Sequence, residues 1–121
     1  GRDYTVFYDS TMARFWFANE AVRADIVDAL STVDCGAILS DDDLRSEGVF
    51  FEDRRFGELV FLMDPGVLVV PSHMGASAPA GMHGFTPEHP DSYAVIMSSS
   101  KLDPEPTHIR DTFAAMRSML E

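Results

Sequence analysis

The sequence predicts an α+β fold: a two-layer domain with a mixed, mainly antiparallel sheet that includes a β-hairpin, and about three helices. Extended segments rich in β-branched and aromatic residues alternate with amphipathic helical patterns along the whole chain. A Pro-Gly turn signal separates two apolar runs, which favours a hairpin. The chain has too few helical segments to supply the crossovers of a doubly wound parallel sheet. Residues 1–121 are therefore interpreted as a single domain.

The chain begins with two predicted strands and a helix. Residues 4–9 and 12–17 are aromatic-rich extended segments that a Ser-Thr pair interrupts. Asn19 is a plausible N-cap for the helix that follows, and Gly36 lies soon after its end. Four apolar residues recur at helical spacing and should face the core: Val22, Ile26, Leu30 and Val33.

A short strand and a second helix come next. Residues 37–39 are apolar, and Ser40 is a good N-cap for a helix that ends at Gly48. The three aspartates at 41–43 fall in its first turn, where negative charge favours the positive end of the helix dipole. Metal binding by these aspartates is the alternative, but capping explains all three without further assumptions.

The predicted hairpin comprises residues 58–63 and 67–70, joined by Asp64-Pro65-Gly66. Proline followed by glycine fits the two central positions of a type II turn. Both runs are continuously apolar rather than alternating, as is typical of strands that are covered on both faces. Helices of the chain can cover one face, and we expect another copy or another polypeptide to cover the second.

The C-terminal third is predicted to be a long connection, a strand and a helix. Residues 71–92 hold four prolines, three glycines and three histidines, and long loops of this kind are often functional. Residues 93–97 read as a buried strand. Thr107 should cap the final helix. Four residues form its predicted apolar face: Ile109, Phe113, Met116 and Leu120.

Composition limits the classes of partner. The 121 residues carry 20 acidic and 9 basic side chains, for a net charge of −11, which disfavours binding to nucleic acid. No apolar run is long enough to span a membrane, so we expect no membrane partner. The single cysteine, Cys35, cannot form an internal disulfide and should be a small buried residue. The compartment is unknown, with the cytoplasm slightly favoured.

The candidate metal ligand is His83. It lies in the sequence Gly81-Met82-His83-Gly84-Phe85, where flanking glycines leave the backbone free to turn the ring toward a site. His73 and His89 share the loop, and three histidines can in principle bind one zinc, but their spacing is not that of a compact ligand set. His89 is better explained as a solvated turn residue. His108, at the start of the last helix, should be neutral and structural.

The order of several short motifs resembles a known family. The motifs occupy residues 10–17, 38–40, 57–59, 64–66, 71–72 and 81–87. In this order they resemble the bacterial type I phosphodiesterase/nucleotide pyrophosphatase proteins of the alkaline phosphatase superfamily. The resemblance covers most of the chain.

The resemblance implies a chemistry and a division of the chain. Members of the family hydrolyse phosphate esters or diesters at two divalent metals, commonly zinc, with a serine or threonine as nucleophile. A histidine in a late glycine-flanked loop binds one metal, and His83 matches that position. Residues 10–78 resemble a capping or inserted region. Residues 79–121 would then carry the metal-ligand loop followed by the terminal strand and helix.

Departures from the family pattern define what this chain lacks. Neither the family's aspartate-histidine-glycine motif nor its nucleophile region occurs here, so we assign no catalytic or cofactor-binding residue and leave Thr11 without that role. We therefore expect a C-terminal, capping segment whose partner is the remainder of a parent hydrolase. A single imidazole should hold no metal tightly, and the chain alone should be inactive.

Two other functions remain open. The apolar strands and aromatic segments also suit a non-catalytic self-association or interaction domain, in which case the isolated chain should be a homodimer. A stand-alone small-molecule or zinc-binding domain is the third possibility. Arg14, Arg54 and Arg55 could contact a phosphate, but surface solvation or salt bridging is the better explanation for each of them. The substrate is not specified by the sequence.

Overall fold

A four-stranded sheet organises residues 2–120, the part of the chain that the computed structural model describes. Its strands lie in the order β1-β2-β4-β3, and each neighbouring pair is antiparallel. This confirms the predicted α+β class with three helices. The strands are β1 Tyr4–Tyr8, β2 Met12–Phe17, β3 Gly36–Ile38 and β4 Leu59–Met63. The helices are α1 Ala21–Ser31, α2 Asp41–Ser46 and α3 Thr112–Ser118.

The hairpin of the fold is formed by β1 and β2. Tyr8 pairs with Ala13 next to a tight turn, and Tyr4 pairs with Phe17 at the far end. Ser10 adopts a left-handed conformation in this turn, with φ of +52°. The backbone N–H of Thr11 donates to the carbonyl of Asp9 at 2.5 Å, which closes the turn. The two aromatic-rich segments of the sequence are therefore strands, as predicted.

The hairpin predicted for residues 58–63 and 67–70 is wrong. The turn forms, because Val67 N–H donates to the Asp64 carbonyl at 3.0 Å and Gly66 has φ of +88°. Beyond it, however, β4 already pairs with β2 on one edge and β3 on the other, so no edge is free for residues 67–70. Those residues run instead to the β1–β2 turn, where Val69 N–H donates to the Ser10 carbonyl at 2.7 Å.

One face of the sheet carries the core cluster. Its buried members are Ala13, Phe15, Leu59, Phe61 and Met63. Helix α1 covers this face through one half-buried stripe, in agreement with the helical spacing seen in the sequence. The α1 stripe and the loop after it contribute Ile26, Val27, Leu30, Val33 and Cys35.

Asn19 lies just before α1, and its side-chain oxygen accepts from the N–H of Ala21 at 3.1 Å. The N-cap residue itself is Glu20, so the predicted N-cap, Asn19, is wrong by one residue.

The opposite face is covered by α2 and the loop that follows it. Ser40 and Asp43 form a reciprocal capping box: Asp43 N–H donates to Ser40 Oγ at 3.1 Å, and Ser40 N–H donates to an Asp43 carboxylate oxygen at 2.8 Å. The guanidinium of Arg54 donates two hydrogen bonds to Asp41, at 2.6 and 2.7 Å. The carbonyl of Arg54 accepts from Trp16 Nε1 at 2.9 Å, so this loop ties α2 to β2.

The C-terminal segment departs most from expectation. Residues 93–97 form no strand and are exposed, because no neighbouring strand lies beside them to give the apolar run a packing partner. The last helix follows a 3₁₀ turn, Ile109–Asp111, whose N-cap is His108 rather than the predicted Thr107. Its predicted core-facing residues point to solvent: Ile109, Phe113, Met116 and Leu120 are exposed by 80%, 77%, 62% and 89%. Within residues 2–120, no helix is both long enough and apolar enough to cross a bilayer.

Replacing Gly36 with alanine should destabilise the sheet. A Cβ at Gly36 would lie 2.6 Å from the Leu62 carbonyl oxygen and 2.6 Å from the ring of Phe61, and backbone cannot move aside cheaply. We expect Gly36→Ala to lower the free energy of unfolding in urea by roughly 1–3 kcal/mol. Gly81→Ala is the matched control, since a Cβ there meets no atom within 4 Å. Equal stability of the two variants would contradict this packing.

The Arg54–Asp41 pair should make stability depend on acid pH. The hydrogen bonds and positive charge of Arg54 hold the pKa of Asp41 below its ordinary value of 3.8. The stabilisation is therefore fully present above that value and is lost as pH falls through the lower folded-state pKa. Asp41→Asn should have a lower free energy of unfolding than the wild type at neutral pH. Between about pH 5 and pH 2 its free energy of unfolding should fall by less than that of the wild type. Asp42→Asn, at an aspartate that is 94% exposed, is the control. If the free energy of unfolding, measured by denaturation at each pH, fell by the same amount in Asp41→Asn and in the wild type, the prediction would be refuted.

Candidate functional site

The candidate site is the segment from Gly81 to Phe85, which we call the His83 loop. Met82 and Phe85 are half-buried, and Phe85 packs against the core cluster, whereas His83 between them is exposed. Gly84 has φ of +95°, a conformation that other residues adopt only with strain. The local sequence thus fixes the loop through its apolar side chains and turns the imidazole toward solvent.

The His83 loop rests on the β1–β2 turn. A Cβ added at Gly84 would lie 3.2 Å from the hydroxyl oxygen of Thr11, so the absence of a side chain at position 84 allows this close approach. Thr11 is 3% exposed, and its carbonyl accepts from Met63 N–H at 2.9 Å. The support beneath the loop is therefore hydrogen-bonded to the central strand.

The same turn also holds the segment that precedes the loop. Ser10, which is 1% exposed, pairs its hydroxyl with that of Ser72 at 2.8 Å. His73 N–H donates to the Tyr8 carbonyl at 2.8 Å. These contacts, together with the bond from Val69 to Ser10, bring residues 69–73 to the hairpin end of the sheet.

A cleft of about 240 Å³ opens beside His83. Pro65, Gly66 and Leu68 form one wall, and residues 79–83 form the other. Asp91 adds a carboxylate at its margin. Two motifs that are distant in sequence, the Asp-Pro-Gly turn and the glycine-flanked histidine, therefore face each other across one opening.

His83 is chemically available. Within residues 2–120 its side chain makes no hydrogen bond and no ion pair, so a ring nitrogen is accessible to a metal. Over the same residues, no group of three or more His, Cys, Asp or Glu side chains is placed so that it could hold a metal ion. Among the described residues, the His83 loop can therefore supply one metal ligand, the imidazole of His83.

The other histidines lie apart from that position. The ring of His73 packs against Phe7, with centroids 4.6 Å apart. His89 Nδ1 accepts from Asp91 N–H at 3.3 Å, and His108 Nδ1 accepts from Arg110 N–H at 3.2 Å. Both histidines thus cap short turns, in line with the structural roles predicted for them, and the three-histidine zinc hypothesis gains no support.

The three arginines proposed as phosphate contacts are each paired with an aspartate. The distances are 3.3 Å for Arg14 to Asp9, 2.6 Å for Arg54 to Asp41 and 2.9 Å for Arg55 to Asp53. Arg14 also lies between the rings of Phe7 and Phe56, 5.0 Å from each centroid. The hydrogen bonds from Arg55 hold the pKa of Asp53 below its usual range. Salt bridging therefore accounts for these side chains.

Sequence reasoning missed a second opening, on the α2 side of the sheet. We call it the acidic groove: it has a volume of about 370 Å³ and lies between α2 and residues 84–88. Met12, Val60 and Leu62 form its apolar floor. Three carboxylates at its edges define its charge: Asp43, Glu47 and Glu88. The signal was present in the unbroken apolar run of β4, which supplies both the core and this floor.

Two of the groove carboxylates are held in their charged form. The hydroxyl and N–H of Ser40 donate to Asp43 and keep its pKa low. The hydroxyl of Thr86 donates to Glu88, and this bond lowers the pKa of Glu88. The groove edge is therefore negative at neutral pH.

Comparison of this chain with protein-family models, with curated proteins and with solved structures found no match. Function is accordingly inferred from the side chains around His83, from the two openings in the surface, and from the order of the sequence motifs.

Gly84→Ala should displace the His83 loop. The new methyl group would meet Thr11 Oγ1 at 3.2 Å, and the residue would be held at φ of +95°. We expect a loss of roughly 1–3 kcal/mol in the free energy of local opening, because that is the usual cost of a strained backbone conformation. Faster amide hydrogen exchange at His89, whose N–H donates to the Thr86 carbonyl at 3.2 Å, with the sheet amides unchanged, would report it. Gly81→Ala should leave exchange in the loop as in the wild type; a Gly84→Ala variant with wild-type exchange would contradict the close contact.

Proposed function

We propose that this chain is the C-terminal, capping segment of a two-metal hydrolase similar to the type I phosphodiesterase/nucleotide pyrophosphatases, and that His83 is one of its metal ligands. The observation that supports this most is the meeting of separate motifs around one residue. Gly84 lies against Thr11, and Pro65 and Gly66 face the His83 loop across the cleft. These segments are spread over residues 10–85, yet they share one corner of the domain.

The residues present fit one ligand position of such a centre. Imidazole is the commonest side-chain ligand of zinc in proteins, and the His83 ring is exposed. When bound, a pair of divalent metals activates the nucleophile and neutralises the phosphoryl oxygens. This chain's contribution would be to hold the His83 ring: Met82 and Phe85 anchor the backbone on either side, and Gly84 sits on the buried turn. Residues 10–78 would act as the capping region of the parent protein.

The remaining ligands and the nucleophile would come from the rest of the parent hydrolase. One imidazole competes poorly with water for zinc, so tight binding needs donors from elsewhere. We therefore expect the 121-residue chain alone to lack phosphodiesterase activity.

In the full-length gene product, His83→Ala should remove one metal per active site and most of the turnover. Loss of a second-shell partner already costs 10–100-fold, so loss of a direct ligand should lower kcat by more than about 100-fold. Metal content by mass spectrometry and hydrolysis of a chromogenic diester, with and without chelator, are the measurements. His89→Ala is the matched control, because His89 caps a turn of the same region.

Unchanged metal content in the His83→Ala protein would refute the ligand assignment. A reading frame that encodes neither an aspartate-histidine-glycine motif nor a nucleophile segment upstream of position 1 would remove the basis for the parent hydrolase. Chelator-sensitive cleavage by the purified 121-residue chain would contradict the proposal that it is inactive alone.

The second candidate function is a non-catalytic self-association or interaction domain. The observation that favours it is the exposure of large apolar side chains in the C-terminal third, among them Val95 at 84% and Met97 at 90%. Exposed apolar groups of this density are typical of interaction surfaces. A homodimer in solution, detected by sedimentation at tens of micromolar, would support this candidate, and a monomer would count against it.

A further inference from the structure

The cleft beside His83 has mainly apolar walls. Met82 and Phe85 are half-buried, and Phe85 packs against the core cluster, so this part of the wall is fixed to the fold. Such walls stabilise a bound group by removing its apolar surface from water. Six of the lining residues present apolar side chains: Pro65, Leu68, Pro79, Ala80, Met82 and Phe85.

The same walls carry no positive side chain. Of residues 2–120, no arginine or lysine lines the cleft, and Asp91 adds a carboxylate at its margin. The three arginines considered above as phosphate contacts are paired with aspartates that do not line it. Proteins bind phosphate and carboxylate groups through arginine, lysine or a metal ion. The chain's net charge of −11 also repels anions, so the cleft favours a group without negative charge.

The size of the cleft limits what it can hold. Its volume is about 240 Å³, which is below the range of roughly 300–1,000 Å³ for pockets that enclose a whole drug-sized ligand. The cleft therefore suits one part of a substrate. His83 belongs to the lining of the same cleft, so a phosphate held at a metal on this imidazole would place its ester group at the opening.

We propose that the cleft binds the alcohol part of the substrate, and that this alcohol is small, apolar and without negative charge. The assignment rests on the proposed function, which places the phosphate at His83. It narrows the substrates of the hydrolase to esters or diesters of such alcohols. A group that carries a phosphate of its own, such as the sugar phosphate of a sugar-nucleotide, would enter the cleft beside Asp91 without a cation to pair with it.

The first test is an NMR titration of the full 121-residue chain with two probes of similar size, neutral benzyl alcohol and anionic benzoate. Benzyl alcohol should shift the amide signals of Gly66, Leu68 and Gly81 in a saturable way, because these residues line the cleft. Benzoate should bind at least about tenfold more weakly, since its carboxylate meets no cation there. Equal binding of the two probes, or the absence of saturable shifts at these residues, would overturn the assignment.

Gly81→Leu is the blocking variant. A Cβ at Gly81 meets no atom within 4 Å, and Gly81 is not among the glycines with positive φ, so a leucine side chain can extend into the opening without backbone strain. We expect it to weaken the binding of benzyl alcohol by at least about tenfold. Ala78→Leu is the matched control, because Ala78 is exposed and does not line the cleft. Unchanged sheet amide signals show that each variant keeps its fold, and wild-type binding by Gly81→Leu would contradict the proposal.

The second test measures the kinetics of the full-length gene product with methyl 4-nitrophenyl phosphate and with its analogue that carries a carboxylate on the aryl ring. The wild type should have the lower KM for the first substrate. Gly81→Leu should raise that KM by at least about tenfold and leave metal content unchanged, because His83 is retained. Retention of all metal by His83→Ala would refute the hydrolase proposal. A Gly81→Leu protein with wild-type metal content and wild-type KM would overturn the substrate assignment alone.

Discussion

The central position of β4 is the constraint on which the rest of the structure depends. With β2 on one edge and β3 on the other, β4 has no free edge, and four of its five residues are buried. The chain that leaves β4 through the Asp64–Val67 turn must therefore find other partners. It finds them at the β1–β2 turn, through Ser10 and Tyr8. That diversion brings the second half of the chain to the hairpin end of the sheet, where the His83 loop then settles.

Local signals in the sequence were sufficient wherever a short segment decides its own structure. The capping box of Ser40 and Asp43 involves residues three apart, and the turn at Gly66 involves four consecutive residues, so both could be predicted. The half-buried stripe of α1 follows from its spacing. The partner of β4 could not be read in the same way, because strand pairing is decided by competition among distant segments. In the structure β4 pairs with β2 and β3, and residues 67–70 do not pair with it.

The candidate site also combines features that a short segment decides with features that depend on contacts between distant segments. His83 could be singled out from its glycine neighbours, and its role as a metal ligand stays a prediction; the structure shows that the residue is exposed. The contact of Gly84 with Thr11 joins residues 73 positions apart, and no sequence pattern indicates it. The acidic groove is equally non-local, since its floor, wall and edge come from β2, β4, α2 and residues 84–88. The exposed face of α3 has the spacing of a core helix, so the sequence pattern alone could not indicate that these side chains lie in solvent.

The two openings share one lining residue, Phe85. This side chain lines both the cleft beside His83 and the acidic groove, and it packs against the core cluster. Residues 84–88 form a wall of the groove, so any helix that fills the groove contacts the backbone that follows His83 directly. Such contact reduces the conformational freedom of the loop, and a ligand side chain that is already ordered loses less entropy when it binds. Residues 84–88 therefore belong both to the wall of the groove and to the segment that holds the His83 ring in place.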